Sequence, residues 1–162
     1  MAMSSLQDLF THHMKDMYYA EKKLAKALPK MAKKASEQSL RVAFEEHQSQ
    51  TEEHVKRLEQ VFEMIGQKAG STKCEAIDGI IKEGEELMSE AEQGETLDAG
   101  LIAAAQAAEH YEIARYGTLA AWAKMLDMGD AQTILHKTLE EEKQTDEKLT
   151  DLAMQQVNRK AA

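Results

Sequence analysis

The chain has 162 residues, 43% hydrophobic but only 5% aromatic, with ten Met, one Pro and one Cys. That length suits a single domain (residues 1–162) with a sizeable core, and composition this poor in β-branched and aromatic residues favours helices over strands. A net charge of −9 argues against a general phosphate-backbone binder, and the 30% of charged residues leave no apolar run of membrane-spanning length.

The opening "MAMSSLQDLF" has no basic stretch leading into an apolar one, so no signal peptide is expected. Cys74 has no second cysteine to pair with, which makes the cytoplasm the default compartment. The first long helix is predicted over 4–35, starting at Ser4 or Ser5, with Phe10, His13, Met17, Glu21, Leu24, Leu28 and Met31 at steps of three and four. Pro29 is placed to kink or divide it. The lysines 22, 23, 26, 30, 33 and 34 read as its solvated face, so neither a nucleic-acid nor a membrane partner is expected.

The second long helix is predicted over 36–65, with the stripe Leu40, Phe44, His47, Thr51, His54, Leu58, Val61 and Ile65. "GQKAGSTKC" (66–74) reads as a loop, and a short amphipathic helix follows over 75–92 with Ile77, Ile80, Ile81, Leu87 and Met88. After "QGET", with Thr96 as the expected N-cap, a third long helix spans 97–126 and tolerates Gly100 in its first turns. "DMGD" turns the chain, Asp130 is the expected cap of the fourth long helix over 130–157, and "NRKAA" is expected to fray.

Long helices of about 30 residues would each run about 45 Å. Short links make each neighbouring pair an antiparallel hairpin, and the long link between the second and third is enough to run the length of the bundle. Two hairpins joined by one crossover that carries an additional short helix is an all-α, ferritin-like four-helix topology.

Acids interrupt the apolar stripes at matching depths. Glu21 lies between Met17 and Leu24, Glu109 and Glu112 share a face with Ala105, Ala108, Tyr116 and Leu119, and Glu142 follows Leu135 and Thr138 with Asp146 one turn on. His47, Thr51 and His54, flanked by Gln50, interrupt the second helix. Glu21 to Glu112 and Thr51 to Glu142 are both 91 residues, so the hairpins superpose with their polar positions at one level, His54 falling on Thr145.

Buried unpaired carboxylates cost several kcal/mol each and repel one another. The inward stripes offer no Lys or Arg at this level, and Arg115 falls on another face. One or two divalent cations are the economical compensation, since carboxylate and imidazole donors suit iron, manganese or zinc. His13 and His47 read as satisfied core or boundary histidines. Tyr111 and Tyr116 read as core hydroxyls, Met17, Met31, Met64, Met88 and Met125 as packing, and the run 140–142 as largely solvated.

The segments "DLFTHHMKDMYYAEKKLAKALPKMAKKA", "HVKRLEQVFEMIG", "KCEAIDGIIKEGEEL", "DAGLIAAAQAAEHYEIARYGTLAAWA" and "TLEEEKQTDEKLTDLA" resemble the YciE/YciF-type ferritin-like family over nearly the whole chain. The resemblance implies a stress-associated bundle, a homodimer, and a di-metal carboxylate site with Glu21, Glu109, Glu112, Glu142 and Asp146 as ligands. It departs on the second helix, where Gln50 stands for the glutamate and His54 for the glutamine of many members. An amide is a poorer ligand, while His54 offers a donor from the next turn. An asymmetric site, a firm and a loose ion, or a partly vestigial site are the alternatives.

The expected function is therefore metal binding with iron or manganese, with oxygen or peroxide redox chemistry as the reaction class and an unidentified redox partner. The alternatives are a non-catalytic dimeric bundle with an empty site and, more remotely, a storage shell.

Overall fold

The computed structural model describes residues 3–162, so Met1 and Ala2 of the expected domain lie outside the described residues. The elements are α1 (Leu6–Lys34), α2 (Gln38–Met64), α3 (Glu75–Glu90), α4 (Glu95–Met125) and α5 (Gly129–Leu152). A π-helical turn (Ala153–Val157) then leads into α6 (Asn158–Ala161). Helices α1 and α2 form one hairpin, α4 and α5 the other, and α3 lies in the crossover against α4 and α1. This is the ferritin-like arrangement of two hairpins joined by one long connection. Among the described residues no helix is long and apolar enough to cross a membrane.

The helix ends have identifiable causes. Ser5 and Asp8 form a capping box at the start of α1, with Asp8 N donating to Ser5 Oγ at 3.1 Å and Ser5 N to Asp8 Oδ2 at 3.0 Å. Helix α2 closes through Gly66 at φ +67°, with Gln67 N donating to Phe62 O at 2.9 Å. Helix α4 closes in the same way, with Asp127 at φ +57° and Met128 N donating to Ala123 O at 2.9 Å.

Several expected boundaries shift. Pro29 does not break α1, because one missing donor is tolerated where the flanking turns bury Leu24, Leu28, Met31 and Ala32. Gly94, not Thr96, caps α4, and Asp130 sits in the first turn of α5 rather than capping it. The "NRKAA" segment remains helical to Ala161, held by Val157 in the core and by Lys160 Nζ 2.5 Å from Glu37.

Asp98 is buried on α4 and accepts from Ser36 N at 2.8 Å and Glu37 N at 2.7 Å, satisfying orphan donors at the start of α2. This bond fastens the two hairpins at one end. Gly100 marks the close approach of α3, since a Cβ there would stand 2.5 Å from Leu87 Cδ2. Farther along the crossover, Tyr19 Oη donates to Asp78 at 2.9 Å.

The core divides in two. One half holds Phe10, Met14, Leu58, Phe62, Ile77 and Leu119; the other holds Leu28, Phe44, Leu97, Leu101 and Leu149. Between them lies a polar layer of Glu21, His47, Thr51, His54, Glu109, Glu112, Thr138 and Glu142, all buried. Met64 and Met125 are exposed at helix ends rather than packed, and His13 is half-buried against Trp122, its ring 5.3 Å away.

Candidate metal centre

Two groups of donors face one another in the polar layer. Glu21, His54 and Glu142 form one, and His47, Glu109, Glu112 and Glu142 form the other, with the ligand atoms of each group all within 4.8 Å of one another. Glu142 belongs to both groups. Its Oε1 lies 2.9 Å from His54 Nδ1 and its Oε2 lies 3.5 Å from His47 Nε2. It is the residue through which the two donor groups adjoin.

Ferritin-like di-metal sites take a Glu from each of two helices and a Glu-x-x-His pair from each of the other two. The 91-residue offset puts Glu21 against Glu112, and Thr51-x-x-His54 against Glu142-x-x-Thr145. Each pair retains one half, the imidazole on α2 and the carboxylate on α5. His47 and Glu109, one to two turns away, bring donors that the fourfold pattern alone would not supply.

Orphaned polar atoms concentrate here. Of the ten buried side-chain N and O atoms without a hydrogen-bond partner among the described residues, eight belong to this layer: Glu21 Oε2, Thr51 Oγ1, His54 Nδ1, Glu109 Oε2, and both oxygens of Glu112 and Glu142. Buried polar groups are normally satisfied, so such convergence fits a cation in the space between them. Four ionised carboxylates with two neutral imidazoles carry a charge of −4, which two divalent cations cancel. The donor set, oxygen with two imidazole nitrogens, fits iron or manganese.

Each histidine is oriented from behind. His54 Nε2 lies 2.8 Å from Glu141 Oε2, and Arg57 holds Glu141 with two bonds of 2.7 and 3.0 Å. That leaves Nδ1 as the inward nitrogen. His47 reverses the pattern: Nδ1 lies 3.2 Å from Gln50 Oε1 and 3.2 Å from Thr145 Oγ1, and Nε2 lies 2.8 Å from Glu109 Oε1. Such outer partners fix the ring and its tautomer. Tyr116 Oη donates to Glu21 Oε1 one turn below.

Burial and like charge raise the carboxyls, and the imidazoles respond to them. Burial, then Glu142, lifts Glu109 to about 8 against the pull of His47. Burial also raises Glu21, and it drives Glu112 well above the carboxylate range with help from Glu142, Glu21 and Glu109. Burial lowers the two imidazoles, but Glu109 and Glu142 outweigh it at His47, lifting it to about 9, and Glu142 and Glu21 do so at His54, lifting it to about 11. Burial raises Glu142 too, yet the two histidines hold it below its ordinary value. Without metal, then, protons and imidazolium ions do the compensating.

Of the seven residues expected from the sequence, Glu21, His54, Glu109, Glu112 and Glu142 come together here. Gln50 does not face the donors; its amide oxygen is used by His47 and Thr145. Asp146 also stands apart, half-buried, with its carboxylate 3.1 Å from His110 Nε2 and 3.2 Å from Gln106 Nε2. One turn beyond Glu142, it has rotated away from the bundle axis. His47, expected as packing, is a central donor. Glu141, expected on the solvated face, is half-buried beneath Arg57, a cation that was not expected at this level.

Fold and donors together define a ferritin-like bundle with a carboxylate–imidazole layer at mid-depth. The chain belongs to the family described as a domain of unknown function (DUF892), which matches residues 5–162. It is 47% identical over 162 residues to Protein YciF of Escherichia coli strain K12, covering 99% of this chain and 98% of that protein. The crystal structure of the E. coli stress protein YciF superposes with TM-score 0.93 at 46% identity, covering 98% of this chain and all of that one. The YcfI structure from Rhodopseudomonas palustris matches with TM-score 0.87 at 44% identity, over 91% of this chain and 94% of that one. A Xanthomonas campestris protein at 17% identity and TM-score 0.76 shares the fold, over 96% of this chain and 95% of that one.

Proposed function

We propose that this protein binds one or two iron or manganese ions in the mid-bundle layer and serves the stress response through oxygen or peroxide chemistry there. One observation carries the reading: Glu142 belongs to two donor groups at once, and beside it both oxygens of the buried Glu112 lack hydrogen-bond partners. Glu21, His54 and Glu142 would hold one ion, and His47, Glu109, Glu112 and Glu142 the other. Bound iron or manganese supplies one-electron chemistry toward dioxygen or a peroxide.

The chain's own residues do the rest. Gln50 and Thr145 hold the His47 ring, and Arg57 with Glu141 holds His54, so that both imidazoles meet the ions in fixed orientation. The two apolar half-cores flank the layer above and below and strengthen its electrostatics. The stress role draws support from the E. coli relative, which is described as a stress protein.

Anaerobic titration with ferrous iron, read by absorbance and elemental analysis, tests the proposal. Binding at one or two equivalents is expected. No uptake of iron or manganese, or metal content unchanged in Glu112→Ala, would overturn it.

A second reading is an empty-site bundle acting only as a dimeric interaction module. It is favoured by the self-compensation of the layer, in which His47 and His54 stay protonated against Glu142. A melting temperature indifferent to EDTA would select this reading, and light scattering reads the dimer.

A further inference from the structure

Among the described residues, an apolar crevice and a polar mouth lead from the surface toward the polar layer. Beneath the crossover, with Lys30 and Glu85 paired at 3.2 Å on its lining, a crevice of about 30 Å³ passes between Leu24, Leu28, Ile80, Ile81, Ala104 and Ala108, an otherwise aliphatic wall, to His47 and Glu109. Between α2 and α5, Ala43, Glu46, Gln50, Thr145 and Lys148 line a wider polar mouth of about 160 Å³ that also ends on His47. The first has space for about one or two water-sized molecules, the second for several.

A divalent cation cannot shed its hydration shell against an aliphatic wall without a large penalty. In the polar mouth the shell can be exchanged stepwise. Glu46 offers a carboxylate at the rim, Gln50 Oε1 and Thr145 Oγ1 lie 3.3 Å apart at the neck, and His47 stands behind them. Beyond His47 lie the unpartnered oxygens of Glu109, Glu112 and Glu142. The rim is latched, since Lys148 Nζ donates to Glu46 Oε2 across the two helices. The latch sets an ammonium in the path and occupies the one carboxylate that would attract a cation. Both partners are about half exposed, so the pair is weak and opens readily.

We propose that the α2–α5 mouth is the path by which a hydrated divalent cation reaches and leaves the layer, with Glu46–Lys148 as outer latch and Gln50–Thr145 as inner neck. This rests on the metal-binding reading above. A doorway has a kinetic signature that a ligand lacks: it changes the rates of arrival and departure by one factor and leaves the dissociation constant alone.

The test is stopped-flow uptake of Co(II), followed by its visible absorption, with release measured by chelator chase. Ala43→Leu narrows the mouth, and Ala104→Leu narrows the apolar crevice as control. Ala43→Leu is expected to slow uptake and release by roughly five-fold or more, with a dissociation constant within about two-fold of the parent and Ala104→Leu unchanged in rate. Lys148→Ala, an exposed change that does not threaten folding, is expected to quicken uptake about two- to three-fold at low salt, the gain vanishing at high salt. Equilibrium binding intact but rates unmoved by Ala43→Leu and Lys148→Ala, or slowed by Ala104→Leu instead, overturns the route alone. Absence of equilibrium Co(II) binding to the parent protein overturns the metal reading and the route with it. Should Ala43→Leu not fold, Lys148→Ala decides.

Discussion

Replacing Glu142 by Gln keeps the shape of the side chain and removes one charge, and the geometry assigns that charge two duties. With metal present, Glu142 is the donor common to both groups, so its loss should remove both ions, whereas Glu21→Gln should remove only the ion beside His54. An ion at one hundred times its dissociation constant stabilises by about 2.7 kcal/mol, or roughly 5–10 °C for a domain of this size. The parent should therefore gain at least that much from manganese, Glu21→Gln a reduced amount, and Glu142→Gln none. Without metal, Glu109 and then Glu142 hold His47 near 9, and Glu142 with Glu21 holds His54 near 11, so Glu142 is the anion the two imidazoles share. Removing one partner of a buried ion pair costs about 3 kcal/mol or more, so metal-free Glu142→Gln should melt roughly 6–12 °C below the parent. Differential scanning calorimetry with and without EDTA, beside elemental analysis, reads both effects. Two ions retained by Glu142→Gln, or both lost in Glu21→Gln, would refute the shared-carboxylate geometry.

Glu21, Glu109 and Glu112 have folded values raised above 4.5, and His47 and His54 are raised above 6.5. Each contributes stability that is full below its unfolded value and lost as pH rises through its folded one, about 8 for Glu109 and about 9 for His47. The metal-free protein should thus melt lower at alkaline than at near-neutral pH, and bound metal, which replaces those protons, should flatten the fall; melting curves across that window in EDTA and in manganese check it. Glu141→Gln deprives Arg57 and His54 of their common anion and should weaken metal binding about ten-fold or more, measured by chelator competition. Ile77→Ala, at the fully buried anchor of the crossover, should cost about 2–5 kcal/mol in urea unfolding without changing metal stoichiometry.

The bundle and most of its inward acids were legible because a carboxylate on an apolar stripe breaks a simple period. Glu21, Glu109, Glu112 and Glu142 each sit where a core residue should be, and the structure buries all four. His47 was harder to assign, since it lies seven residues, or about 10 Å along α2, from His54. Only the packing of one hairpin on the other, invisible in either hairpin alone, brings its Nε2 to 2.8 Å from Glu109 Oε1. Gln50 and Asp146 are the converse case. Both have donor chemistry one turn from a buried position, and both spend it on a neighbouring imidazole, Gln50 behind His47 and Asp146 on His110. Glu141 looked solvated within its acidic run because Arg57, its partner, lies 84 residues away in sequence.

The most direct measurement is an anomalous-scattering map from crystals grown with manganese, collected above and below the metal edge. Two peaks are expected, one among Glu21, His54 and Glu142 and one among His47, Glu109, Glu112 and Glu142. A mid-bundle layer without anomalous density, with the metal confined to surface carboxylates, would contradict the account.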